Sequence, residues 1–130
     1  MNLVGLDHFA VNVKNLADAE AWYGAVFNFH ALHRWSGVTM VGTGNIRVGL
    51  FETPDGVSPG SLDHILAITH VAFLVDGDKF QSAIDELRSH GLTIEGPEDT
   101  GIAFSIFIED LDHNKIELTT YHGAGCPMPH

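Results

Sequence analysis

The sequence predicts an α+β fold of two similar halves, each running strand, helix, strand, strand, strand. Three observations predict it. Residues 6–13, Leu6-Asp7-His8-Phe9-Ala10-Val11-Asn12-Val13, resemble residues 68–75, Ile68-Thr69-His70-Val71-Ala72-Phe73-Leu74-Val75, and the two histidines lie 62 positions apart in a chain of 130. Self-similarity at nearly half the chain length marks an internal repeat. Both segments alternate in polarity and carry the β-branched content of strands. Each is followed by an apolar stripe at helical spacing and then by short strand-like runs broken at Gly and Asn.

In chain order, residues 6–13 form the first strand. Asn15 can accept from backbone N–H groups that a helix start leaves unpaired, so a helix is expected over 16–27 with Leu16, Ala19, Tyr23 and Val26 on one stripe. Short strands follow at 31–35, 38–41 and 46–51. The turn-rich segment from Thr53 to Ser61 joins the halves and is short for an interdomain linker. The chain therefore reads as one domain, with module one at about 4–52 and module two at about 66–122. The second half repeats the order with a strand at 68–75 and a helix at 80–90. Asp76 or Asp78 is the expected cap of that helix, Phe80, Ala83, Ile84 and Leu87 its apolar stripe, and Gly91 its stop. Strands are expected at 93–94, 103–108 and 115–121, and the acidic stretch Glu95-Gly96-Pro97-Glu98-Asp99 reads as a solvated loop.

Composition narrows the partners. The chain is 45% hydrophobic, enough to close a core without disulfides, and its single cysteine, Cys126, cannot form an internal one. Six Lys and Arg against 17 Asp and Glu give a net charge of −11 with His neutral, which repels nucleic-acid phosphates and anionic lipid surfaces. The first residues do not read as a signal peptide, and no run approaches the roughly 18 apolar residues of a membrane span. A cytoplasmic protein with a small-molecule substrate is expected, with neither nucleic acid nor membrane as partner.

The nine histidines are the unusual count. Strand alternation sends Phe9, Val11 and Val13 to one face and His8, Ala10 and Asn12 to the other; it likewise separates Val71, Phe73 and Val75 from His70, Ala72 and Leu74. On the last strand Ile116 and Leu118 oppose Lys115, Glu117, Thr119 and Tyr121. The two helices must cover the aromatic and β-branched faces, which leaves His8, His70 and Glu117 on the uncovered side. A strand histidine alone is more often a hydrogen-bonded neutral residue than a ligand. Two from equivalent strands plus a carboxylate in an otherwise apolar run form the donor set of a divalent-metal site with open positions. One divalent ion is expected, with Fe(II) favoured and Mn, Ni, Co or Zn also suited to these donors.

The opening motif around His8, Trp22-Tyr23 on the following helix, the segment Thr69-His70-Val71-Ala72-Phe73 and the closing Glu109-Asp110-Leu111-Asp112-His113-Asn114-Lys115-Ile116-Glu117-Leu118 resemble the vicinal-oxygen-chelate superfamily. That group includes glyoxalase I, extradiol dioxygenases, fosfomycin-resistance thiol transferases, methylmalonyl-CoA epimerase and bleomycin-resistance proteins. The family's usual Asp-Pro-Asp-Gly-Asn stands here as Asp110-Leu111-Asp112-His113-Asn114, a departure that bears on the turn before the last strand. The resemblance implies paired modules whose mixed sheets curve into a cup around the metal, with helices on the outer face, and a homodimer. It assigns the metal to His8, His70 and Glu117. Aligning Arg47-Val48-Gly49-Leu50 with Lys115-Ile116-Glu117-Leu118 puts Gly49 at a fourth family position, where it supplies no ligand.

The missing fourth ligand disfavours glyoxalase I and the epimerase and leaves the three-ligand subfamilies. An extradiol-dioxygenase-like reaction on a catechol-like substrate is the expectation, with Tyr121 as the catalytic candidate and Arg47, Phe51 and Thr119 as candidate substrate contacts. A fosfomycin-type thiol transferase ranks below it, because so few cations are available for a phosphonate and Ala10 stands where those enzymes carry a threonine. The reading from a different class is a bleomycin-resistance-like protein that sequesters a cationic drug without catalysis, favoured by the net charge.

Overall fold

In the computed structural model, which describes residues 1–130, each half of the chain closes its own four-stranded mixed sheet. Two units result, Met1–Ser58 and Pro59–His130. The first runs β1 (Phe9–Val13), α1 (Leu16–Phe27), β2 (His30–Trp35), β3 (Val38–Thr43) and β4 (Ile46–Glu52), with sheet order β1-β4-β3-β2. The second runs β5 (Val71–Leu74), a 3-10 turn (Gly77–Lys79), α2 (Phe80–Ser89), β6 (Glu95–Asp99), β7 (Ala103–Glu109) and β8 (Lys115–Tyr121), with order β5-β8-β7-β6. The β-α-β-β-β repeat and the α+β class are as the sequence predicts. No helix is long and apolar enough to cross a membrane.

In both units the first and last strands pair parallel and the rest pair antiparallel. Parallel neighbours need a long crossover, which each unit makes through its helix. Asn15 caps α1 by accepting from Asp18 N–H at 2.9 Å, and Ala19, Tyr23 and Val26 form its buried stripe. In the second unit Phe80, Ile84 and Leu87 of α2 are buried, as are Ile106, Ile108, Ile116 and Leu118 on one face of the sheet. Gly91 ends this helix at φ +77, its N–H donating to Arg88 C=O at 2.9 Å. Expected faces and observed burial agree: Phe9, Val11 and Val13 are more covered than Ala10 and Asn12, and Ile116 and Leu118 are buried beside a half-buried Glu117.

Three local expectations need correction. The stretch Glu95–Asp99 is strand β6 rather than a loop, although all five residues are exposed as expected. It is an edge strand whose register shifts between Glu95 and Glu98, a place where charges and Pro97 are tolerated because one edge needs no partner. Neither Asp76 nor Asp78 caps α2: Asp76 starts the 3-10 turn without a side-chain bond, and α2 begins at Phe80 behind Lys79. The first strand of each module is also shorter than its sequence pattern, so His8 and His70 each stand one residue before their strand.

The turn before β8 shows how the departure at residues 111 and 113 is accommodated. Asp110, 6% exposed, accepts from the backbone N–H groups of Asp112 and Asn114 at 2.9 Å each and from Asn114 Nδ2 at 3.0 Å. His113 occupies the left-handed region at φ +67, a conformation that crowds any Cβ. Two substitutions in this turn should move stability in opposite directions in thermal melts. His113→Gly relieves the strain at the cost of an exposed contact with Glu109 and should stabilise by about 1 kcal/mol. Asp110→Ala leaves three donors without their acceptor and should destabilise by about 3 kcal/mol.

Candidate functional site

The register of the parallel pairs fixes what stands beside each module histidine. In the second unit Ala72 pairs with Glu117, and in the first Ala10 pairs with Gly49. Each alanine lies two residues after its histidine, so Gly49 and Glu117 hold equivalent places in the two sheets. A side chain at Gly49 would begin 3.1 Å from Cε2 of the Phe51 ring. The exposed Phe51 thus covers the position that the glycine leaves bare.

In the second unit His70 Nε2 stands 3.2 Å from Glu117 Oε1. His70 Nδ1 is bound to Thr69 Oγ1 at 2.8 Å. The Glu117 side chain is 15% exposed, and its other oxygen, Oε2, accepts from Ser105 Oγ at 3.3 Å. Two donor atoms about 2.1 Å from one metal and at right angles to each other are about 3.0 Å apart, so the imidazole nitrogen and the carboxylate oxygen are spaced as neighbouring ligands of a first-row divalent ion. The donors present therefore fit such an ion. Phe107, paired with Glu117 across β7 and β8, stands edge-on to His70 at 5.4 Å and carries the Lys115 ammonium over its ring at 4.5 Å. Phe107 and Lys115 also line a cavity of about 360 Å³ with Thr93, Glu95, Glu109 and His113, a volume suited to a small molecule.

In the first unit His8 Nδ1 is 2.7 Å from Asp7 Oδ2, and Arg47 Nη1 donates to Asp7 Oδ1 at 3.2 Å. The hydrogen bond from His8 is the main cause holding the Asp7 carboxyl below the usual carboxylate range; desolvation opposes it and the Arg47 charge reinforces it. An ionised carboxylate only accepts, so Nδ1 carries a proton, and in the neutral ring Nε2 keeps its lone pair. Within neither unit do three His, Cys, Asp or Glu side chains gather into a metal-holding group.

Of the predicted site residues, His70 and Glu117 meet in one unit, and His8 and Arg47 meet through Asp7 in the other. Phe51 is exposed over Gly49. Thr119 Oγ1 stands 3.2 Å from Ser105 Oγ and 3.3 Å from Phe104 C=O. Tyr121 is 51% exposed and lies four residues beyond Glu117, about 13 Å along β8. Sequence reasoning passed over Asp7, Thr69, Ser105 and Phe107. The first two carried a signal, since each module histidine follows a residue whose side-chain oxygen binds its Nδ1.

The model of the Glyoxalase/Bleomycin resistance protein/Dioxygenase superfamily matches residues 5–118. The chain is 27% identical over 117 residues to biphenyl-2,3-diol 1,2-dioxygenase 3 of Rhodococcus globerulus, covering 87% of this chain but only 61% of that protein. It is 27% identical over 122 residues to metallothiol transferase FosB of Staphylococcus epidermidis, covering 92% of this chain and 84% of that one. Among solved structures, an integron cassette protein from a sewage-outfall metagenome aligns with a TM-score of 0.76 at 23% identity, over 91% of this chain and 99% of that one. The fosfomycin resistance protein FosX of Listeria monocytogenes, complexed with Mn(II) and sulfate, aligns at 0.72 and 20%, over 92% of each chain. These structural likenesses show a shared fold.

The His8 tautomer can be checked directly. Long-range nitrogen–proton NMR on the neutral ring should find the proton on Nδ1, and Asp7→Ala should return the ring to a mixture of tautomers.

Proposed function

The chain belongs to the Glyoxalase/Bleomycin resistance protein/Dioxygenase superfamily, and we propose that it is a metal-dependent enzyme acting on a small molecule that presents two adjacent oxygens. The observation that carries this reading is the approach of His70 Nε2 to Glu117 Oε1 on an open sheet face. His8, His70 and Glu117 are proposed as metal ligands for a divalent ion, with Fe(II) favoured and Mn, Ni, Co or Zn as alternatives. A divalent ion held by these residues would supply Lewis-acid stabilisation of negative charge on the substrate oxygens.

The chain's own residues supply the rest. Asp7 holds the His8 ring with Nε2 free, and Thr69 fixes the His70 ring through Nδ1. Gly49 adds no fourth ligand, which leaves room for a substrate that binds through two atoms. Arg47 and Phe51 are the proposed substrate contacts of the first unit, and Phe107 and Thr119 those of the second. Tyr121, on the face of Glu117, is proposed to transfer a proton where the substrate reaches it. Oxidative cleavage of a catechol-like ring is the favoured reaction, supported by the lack of a ligating side chain at Gly49 and by the identity to the dioxygenase over 87% of this chain. Thiol transfer to a phosphonate is the second reading, supported by the longer coverage of FosB and by Lys115 beside the cavity as a cation for an anionic group. A homodimer is part of either reading.

Metal analysis of protein purified without chelators should give one divalent ion per chain. His8→Ala, His70→Ala and Glu117→Ala should each weaken metal binding by more than about a hundredfold, beyond the range seen for residues that only support a ligand. Unchanged metal content in these variants overturns the site. Aerobic ring cleavage of catechols, lost on iron removal and restored by Fe(II), is the expected activity. Its absence, with thiol consumption in the presence of a phosphonate epoxide, decides for the second reading.

A further inference from the structure

We propose that Ser105 is a positioning residue that fixes which oxygen of Glu117 faces the metal. This inference rests on the reading of Glu117 as a ligand. Ser105 lies on β7 directly opposite Thr119 of β8 and is 3% exposed, although it belongs to the same sheet face as Glu117. Its Oγ carries one proton and stands 3.3 Å from Glu117 Oε2 and 3.2 Å from Thr119 Oγ1; with that proton given to the carboxylate, the Thr119 hydroxyl can donate back to Ser105 Oγ. The hydroxyl that faces Oε2 therefore belongs to a buried strand residue rather than to a mobile surface group.

The two carboxylate oxygens consequently have different partners. Oε2 is held by Ser105, and Oε1 stands 3.2 Å from His70 Nε2. A carboxylate that is 15% exposed has lost part of its hydration, and the Ser105 hydroxyl replaces one of the hydrogen bonds that water would make. With Oε2 engaged, Glu117 offers one oxygen to the ion rather than two. More positions around the ion then stay open for a substrate that binds through two atoms, and the carboxylate is oriented before any ion arrives. Ser105 touches neither the ion nor the substrate and acts through Glu117.

The test is calorimetric titration of Mn(II) into metal-free protein carrying Ser105→Ala, Ser105→Val or Ser105→Thr, with circular-dichroism melts of each metal-free variant. Val and Thr have the same shape and differ in the hydroxyl, so comparing them separates the hydrogen bond from packing. Ala and Val should weaken Mn(II) binding about tenfold, and Thr should bind within about twofold of the unsubstituted chain. The rise in melting temperature on adding Mn(II) should shrink in Ala and Val and return in Thr. Equal affinity in Thr and Val, or unsubstituted affinity in Ala, overturns the proposal. Glu117→Ala run alongside keeps the two failures distinct. If it binds Mn(II) as the unsubstituted chain does, Glu117 is no ligand and the underlying reading falls; if it loses binding while Ala and Val do not, only the role of Ser105 falls.

Discussion

The parallel pairing of the first and last strands of each module is the constraint on which the rest depends. Side chains alternate across a strand, so register alone decides whether residue 117 joins the core or the open face. Pairing Val71 with Ile116 and Ala72 with Glu117 puts the isoleucine on the buried side and the glutamate on the side of His70. A slip of one residue would exchange them and drive a carboxylate into the apolar layer. The buried Ile106, Ile108, Ile116 and Leu118 thus oppose the shift without touching Glu117, because their burial is incompatible with a register moved by one residue.

The same geometry in the other module yields a different chemical outcome from one residue. Gly49 occupies the place of Glu117, and the Phe51 ring lies over the space that a longer side chain would fill. The repeat therefore keeps its histidine in both modules and its carboxylate in one. Each histidine is also oriented by the residue before it, through Asp7 in the first module and Thr69 in the second. One ring thus meets a carboxylate and the other a hydroxyl within an otherwise repeated frame.

Much of this was legible in the sequence because it follows from periodicity. The repeat, both helices with their stripes and the strand faces rest on alternation or on 3.6-residue spacing, which burial enforces, whereas the equivalence of Gly49 with Glu117 comes from aligning the two modules at a position that the family resemblance points to. Strand β6 was not legible, since an edge strand exposed along its whole length is under no pressure to alternate, and its glycine, proline and acids read as loop. The start of α2 was missed because a 3-10 turn intervenes after Asp76 and moves the helix beyond the reach of its side chain. Ser105 gave no signal at all. A serine within Ala103-Phe104-Ser105-Ile106-Phe107 looks like a small filler of an apolar strand, and only the cross-strand register reveals the carboxylate that its hydroxyl meets.

Pairing at long range also orders events in time. Ala72 and Glu117 are 45 positions apart, whereas β6, β7 and β8 meet through short antiparallel connections and α2 forms from local contacts. Closing the longer loop is slower because more chain entropy is lost before any contact repays it. The hairpins and helix of the second unit can thus precede the seating of β5 against β8, and His70 and Glu117 become neighbours only as that final strand docks. A growing chain, or one partly unfolded, therefore presents the His70 imidazole and the Glu117 carboxylate apart, and the pair exists only in the docked sheet.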